Sequence, residues 1–324
     1  MGFFGRVARP VILAAAKQDG LRRTAERLPM TREVVHRFVP GETTADVMNS
    51  VEQLRDSRRL VSIDYLGEAV TDADAAEATA EAYVGLLAAL ETRGEASGAV
   101  RPLEVSLKLS ALGQALPRDG EKIALENARA ICERAQRAGV WVTVDAEAHT
   151  PPASALAIVR DLRVDFDWVG TVLQAYLKRS RADCAEFAAS GARIRLCKGA
   201  YDEPAAVAFR DRDDVTSSYL QCLRILMAGS GYPMVASHDP EIIAAVPALV
   251  REYSRSVDDF EYQMLYGIRD AEQRRLVGSD GLEGNHVRVY VPFGTQWYGY
   301  FVRRLAERPA NLTFFLRALA ERRR

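Results

Sequence analysis

The sequence predicts an α/β domain built as a (β/α)₈ barrel. Three observations predict it. From residue 59 onward a short β-branched run, a turn and a long Ala/Leu/Glu/Arg-rich stretch recur, as expected of βαβ units on a parallel sheet. The recurrence amounts to about eight units over about 265 residues, the count and length of a closed barrel. Within the strands apolar and polar residues alternate, and the polar set includes charges that an ordinary barrel interior excludes. An open doubly wound sheet fits the same spacing, because spacing does not encode strand order.

Residues 1–55 read as a helical arm and 56–324 as the barrel. In the arm, the apolar run Pro10–Ala16 passes into Lys17 and Asp19 and continues amphipathically through Leu21–Leu28. It falls far short of the roughly 20 residues of a spanning helix, and it does not read as a signal peptide. The first candidate strand is Leu60–Leu66, followed by a helix over Asp72–Thr92 with Thr71 as its cap. Next come strand Leu103–Leu109, helix Glu121–Ala138 and strands Val140–Ala146, Val169–Tyr176 and Arg193–Cys197. A helix over Ala205–Ala228 and strands Met234–Ser237, Tyr262–Tyr266 and Val287–Val291 complete the series. No low-complexity linker interrupts it.

With 324 residues, 48% of them apolar, the chain is long enough for one large core. Lys plus Arg number 43 against 44 for Asp plus Glu, so the bulk charge favours neither nucleic acid nor an anionic membrane. Cys132, Cys184, Cys197 and Cys222 show no CxxC spacing, which argues against a disulfide framework or zinc cluster and for a reducing, cytoplasmic setting.

Strand alternation locates the chemistry. In Leu103–Ser110, Val105, Leu107 and Leu109 alternate with Ser106, Lys108 and Ser110. In Val140–Glu147, Val142, Val144 and Ala146 alternate with Thr143, Asp145 and Glu147; in His286–Val291, three valines alternate with His286, Arg288 and Tyr290. A barrel's outer face packs on helices and must be apolar, so Lys108, Asp145, Glu147 and Tyr290 point inward. Charged groups at the C-terminal strand ends are where barrel enzymes keep their chemistry.

Near the C-terminus, Tyr300, Arg303, Arg304 and Glu307 share one helix face, with Phe301, Val302 and Leu305 on the packing side. Paired guanidiniums hold a carboxylate or phosphate through charge-assisted bonds; an exposed, salt-bridged helix face gives the same spacing. Arg193, Arg195 and Lys198 lead into Gly199-Ala-Tyr201, where a cation and small residues let an anion approach, or which is simply an ordinary βα turn. Ser237-His238-Asp239 forms a polar turn. A metal-hydrolase set of Asp145, Glu147, His149 and His238 is the rival reading. It is opposed by a total of four histidines and by Lys108 and Arg195 at the same mouth, and no metal is expected. A flavin-free barrel that senses an amino acid or phosphate is a third reading.

Several blocks, in order, resemble the flavin-dependent proline dehydrogenases, including the proline dehydrogenase domain of bifunctional proline utilization proteins. They are Phe38-Val-Pro-Gly-Glu-Thr43, Ser106-Leu-Lys-Leu-Ser-Ala111, Asp145-Ala-Glu147, Gln174-Ala-Tyr176, Arg195-Leu-Cys-Lys-Gly-Ala-Tyr201, Ser237-His238, Tyr290-Val-Pro-Phe-Gly294 and Tyr300-Phe-Val-Arg-Arg-Leu-Ala-Glu307. The resemblance implies a distorted TIM-like barrel with the last helix over its mouth and FAD at the strand ends. It implies that Lys108, Arg303 and Arg304 clamp the substrate carboxylate, and that Tyr290, Tyr300, Leu265 and Ala200 enclose the pyrrolidine ring. Asp145 and Arg195 match positions linked to catalysis, with Arg195 against the isoalloxazine and Asp145 ordering the charges around Lys108. Ala146, Gln174, Arg195, Lys198, Gly199, Ala200, Ser237 and His238 match positions that touch FAD. The chain departs from bifunctional members at Asp202 and in a shorter 290–300 stretch.

The implied reaction is L-proline oxidation to Δ1-pyrroline-5-carboxylate by hydride transfer from ring C5 to flavin N5. A quinone would accept the electrons, and a separate pyrroline-5-carboxylate dehydrogenase would act downstream. Quinone reduction implies a peripheral contact at the inner membrane face, through Arg6, Arg9, Lys17, Arg22 and Arg23 or through Arg322–Arg324; simple solvated ends are the alternative.

Overall fold

Eight parallel strands close on themselves in strict sequence order in the computed structural model, so the open-sheet alternative falls. The structure describes residues 35–67, 70–91, 99–147, 152–201, 203–278 and 284–301. The strands are β1 (Leu60–Tyr65), β2 (Leu103–Leu107), β3 (Trp141–Val144), β4 (Gly170–Gln174), β5 (Arg193–Cys197), β6 (Tyr232–Ala236), β7 (Glu261–Leu265) and β8 (Val287–Phe293). The described helices are α1 (Thr44–Asp56), α2 (Ala73–Leu90), α3 (Gly120–Ala138), α4 (Pro152–Asp165), α5 (Ser180–Ala189), α6 (Arg212–Ala228), α7 (Pro240–Glu252) and α8 (Asp270–Val277). Another begins at Trp297 and is described as far as Phe301. No described helix is long and apolar enough to cross a membrane.

The seam is firm. β1 pairs β8 from Leu60↔Arg288 to Tyr65↔Phe293, and Val61, Ile63, Val289 and Val291 bury against α1 through Val47, Val51 and Leu54. The outward set on the other strands, including Val105, Leu107, Val142, Val144, Ile194, Leu196 and Met264, joins the same core. A second apolar cluster lies apart from it. Phe38, Val39, Leu66, Ile268, Trp297, Tyr300 and Phe301 pack together, with Leu265 and Tyr290 against them. It ties the chain before α1 to the ends of β1, β7 and β8 and to the start of the last helix.

Boundaries differ from expectation for local reasons. The α2 cap is Asp72, whose carboxylate accepts from Ala75 N–H at 2.8 Å, while Thr71 donates its hydroxyl to Asp72. Helix α6 starts at Arg212, not Ala205, because Asp211 caps it by accepting from the N–H groups of Asp213 and Asp214. The Ala-rich stretch before it folds into a turn, with Ala208 bridged to Leu177. Strand β2 ends at Leu107, and Leu109–Leu112 forms a 3₁₀ turn that Gly113 closes at φ +105.

Candidate active site

The barrel interior is built from charge. At its floor Arg288, fully buried, donates to Glu261 through Nε at 2.7 Å and Nη2 at 2.9 Å. Arg193 donates to Glu104 at 2.5 Å and lies 3.7 Å from the Trp141 ring centroid. These side chains occupy the place of the branched aliphatics that usually fill such a core. Burial alone would raise the Glu104 carboxyl pKa; the Arg195 and Arg193 guanidiniums outweigh it and hold Glu104 well below the usual carboxylate range.

Arg195 joins floor to mouth. Its Nε donates to Gln263 at 2.5 Å, Nη1 to Ser106 at 2.7 Å and to Asp145 at 2.6 Å, and Nη2 to Ser62 at 3.1 Å and to Glu104. Burial works against its charge, but Glu104 and Asp145 more than restore it, so Arg195 stays cationic. Above it Tyr290 donates its hydroxyl to Asp145 Oδ2 at 2.8 Å. Burial pushes the Asp145 carboxyl above its ordinary range, with Arg195 and Lys108 only partly offsetting that. Burial and the neighbouring Asp145 also push the Tyr290 phenol well up, so Tyr290 acts as a donor. Lys108 forms an ion pair with Asp64. The interior therefore holds Arg193, Arg195, Arg288 and Lys108 against Glu104, Glu261, Asp145 and Asp64, and buried charges persist when so paired.

The ends of β4 to β7 form a second wall. Lys198 donates to Thr216 at 2.8 Å and to Asp239 at 2.7 Å, and Asp239 also caps α7 by accepting from Glu241 N–H. Gly199 has φ +105, and a Cβ there would lie 2.1 Å from Tyr176 Cδ1, so only glycine fits. His238 Nε2 accepts the Leu265 N–H at 3.0 Å, so that nitrogen carries no proton. Arg269, held at φ +52, donates to the His238 carbonyl at 2.6 Å. Beside this wall a narrow cleft is lined by Asp145, Ala146, Glu147, Leu156, Gln174 and Leu177.

Residues 47–317 match the family model described as proline dehydrogenase. The chain belongs to the proline dehydrogenase family. It is 38% identical over 293 residues to proline dehydrogenase 1 of Bacillus subtilis, covering 90% of this chain and 92% of that one. It is 36% identical over 313 residues to the proline dehydrogenase of Deinococcus radiodurans, covering 96% and 97%. Proline utilization A of Bdellovibrio bacteriovorus, solved after inactivation by N-propargylglycine, superposes with a TM-score of 0.75 at 25% identity, over 85% of this chain and 32% of that one.

In this member of the proline dehydrogenase family, Lys108, Asp145, Arg195 and Tyr290 share the mouth of the barrel, and Leu265 and Tyr300 share the apolar cluster at its rim. Ala146, Gln174, Lys198, Gly199, Ser237 and His238 lie at the ends of β3 to β6, with Ala200 exposed beside them. Arg303, Arg304 and Glu307 lie outside the described residues, as do His149, Asp202 and both basic termini. Of the rival metal set, Asp145 is engaged by Arg195 and Tyr290, Glu147 by Ser110 and His238 by Leu265. Lys108 takes its direct ion partner from β1, in Asp64. Asp64, Glu104, Glu261, Gln263 and Arg269 were all missed. For Asp64 the signal was present, since Ser62 and Asp64 alternate with Val61 and Ile63 on β1 as Ser106 and Lys108 do on β2.

Proposed function

We propose that the protein is an FAD-dependent proline dehydrogenase that oxidises L-proline to Δ1-pyrroline-5-carboxylate. The observation that carries the reading is the conjunction of family membership with the mouth: Lys108, Asp145, Arg195 and Tyr290 meet where a small zwitterion would sit. The wall at β4 to β6 suits a flavin. It offers the Lys198 ammonium, a glycine that lets backbone approach closely, and the polar Gln174, Ser237 and His238 side chains, which complement an anionic, acceptor-rich cofactor.

When bound, FAD supplies the oxidant, accepting a hydride from substrate C5 at N5. The chain's own residues bind and orient. Lys108, with Arg303 and Arg304, grips the substrate carboxylate, turning an encounter into an oriented complex. Leu265, Tyr290 and Tyr300 enclose the ring and exclude water. Arg195, fixed by five partners, holds a permanent charge beside the isoalloxazine site, and Asp145 fixes Arg195 and Tyr290 in place. Electrons pass on to a quinone, which calls for a peripheral contact at the inner membrane face, and the product goes to a separate pyrroline-5-carboxylate dehydrogenase.

The test is the visible spectrum of the purified protein. A flavin band that bleaches when L-proline is added without oxygen is expected. A colourless protein that takes up no FAD, or a flavin that proline leaves oxidised, contradicts the reading.

A further inference from the structure

Hydride loss from the carbon beside nitrogen requires a neutral amine, so on the proline dehydrogenase reading a proton must first leave the ring nitrogen. We propose that Asp64 accepts it, through Oδ2. Asp64 lies near the C-terminal end of β1, in register with Ser106 on one side and Pro292 on the other, and is 1% exposed. Its Oδ1 pairs with Lys108, and its Oδ2 is buried without a hydrogen-bond partner.

The other described carboxylates at the mouth, and His238 Nε2, are already engaged. Asp145 accepts from Arg195 on Oδ1 and from Tyr290 on Oδ2. Glu147 accepts from the Ser110 N–H on Oε2 and from its hydroxyl on Oε1. Asp239 takes Lys198 on Oδ2 and the Glu241 N–H on Oδ1, and His238 Nε2 is filled by Leu265. Among the described residues, Asp64 Oδ2 is the carboxylate oxygen there that lacks a donor. An anionic oxygen kept buried and unsatisfied is costly, and a substrate N–H completes it.

The chemistry of the substrate fits the pair. The carboxylate and ring nitrogen of proline are both attached to Cα, so the zwitterion is a short dipole. The Lys108–Asp64 ion pair is a dipole of similar length, and head-to-tail docking sets carboxylate on ammonium and ring nitrogen on Asp64. One N–H proton then passes to Oδ2, leaving a neutral amine and a carboxylic acid. The C5 hydrogen leaves with its electron pair as a hydride to the oxidised flavin, and the freed nitrogen lone pair forms the C5=N bond. The iminium so formed releases its remaining N–H proton to solvent, and Asp64 reprotonates water on turnover.

The test separates proton acceptance from mere aiming of Lys108. Tetrahydrofuran-2-carboxylate has the ring and carboxylate of proline but an oxygen in place of N–H, so it has no proton to give. In Asp64→Asn holoenzyme, kcat/KM for proline should fall by about 100-fold or more, the scale of general base catalysis. The calorimetric Kd of the oxygen analogue should be unchanged or tighter. Parallel loss of proline turnover and analogue binding would mean that Asp64 only positions Lys108, and unchanged turnover would remove Asp64 from the reaction; either overturns the proposal. If Asp64→Asn alone does not fold, the comparison is made between K108M and D64N/K108M, which leaves no orphaned charge, and the same split is expected. Wild-type flavin that proline does not bleach would defeat the proline reading itself, before any Asp64 variant is made.

Discussion

The floor and the mouth of the barrel use the same residue types to opposite ends. At the floor, Glu104 serves two guanidiniums, Glu261 takes two bonds from Arg288, and Trp141 stacks under Arg193. Among the described floor residues Arg193 Nε alone is buried without a partner, and solvent is excluded. At the mouth, Lys108 keeps 17% of its side chain exposed, Asp64 retains an oxygen without a donor, and Tyr290 and Leu265 are half-buried. A sealed, nearly saturated network can only hold the fold, whereas a partly open one with an unfilled acceptor can take a ligand. Arg195 belongs to both, which explains why a residue so deeply buried stands at the boundary of the chemistry.

The comparison can be broken first at the floor. Glu104→Gln leaves Arg193 and Arg195 without their shared counter-charge, so stability should fall by roughly 3–5 kcal/mol, read as a lowered urea midpoint. A loss below about 1 kcal/mol would show that the floor does not hold the barrel. Next, Gly199→Ala forces a Cβ into the Tyr176 ring at a left-handed φ, costing about 1–2 kcal/mol from backbone strain alone. FAD retention, followed by the visible spectrum after gel filtration, should drop with it; full retention would clear this loop of a cofactor role.

The rim sharpens the comparison. Trp297→Phe removes the bond from Nε1 to Glu42, at 3.0 Å, which fastens the start of the last helix. A cost of about 1 kcal/mol is expected, with KM for proline rising more than kcat falls. The smallest effect belongs to Asp239→Asn. Burial works against the Asp239 charge, but the Lys198 ammonium outweighs it and holds the carboxyl below its usual range. A lowered carboxylate stabilises fully above about pH 4 and loses that contribution as pH falls through its native value. The variant should thus melt slightly lower at pH 7, by under about 1 kcal/mol, and the gap should close in acid. A gap that widens in acid would contradict the pairing.

Much of this was legible in the sequence, and the illegible part has a physical cause. Strict alternation in Leu103–Ser110 and Val140–Glu147 sends Lys108 and Asp145 inward without any knowledge of strand order. Applied to Leu60–Leu66, the same rule points to Asp64, because Ser62 and Asp64 alternate there with Val61 and Ile63. Pairing is another matter. Glu104 meets Arg193 and Arg195 across the lumen, 89 and 91 residues away along the chain, and no local pattern encodes that register. Helix α6 was read too long because Ala205–Ala208 has high helix propensity, whereas the capping Asp211 decides where the helix starts.

The claim that the mouth serves substrate while the floor serves the fold is tested most directly on one side chain. Lys108→Met keeps the length and apolar stem of the residue and removes its charge. Melting temperature and kcat/KM for proline, measured on one preparation in the Asp64→Asn background so that no buried carboxylate is orphaned, should separate: a melting point near that of Asp64→Asn alone, and turnover efficiency further reduced by about 1.5–3 kcal/mol in ΔΔG‡, the worth of one charge-assisted bond. A variant that melts earlier than Asp64→Asn alone yet turns over proline as efficiently as that parent would place Lys108 with the floor and undo the division.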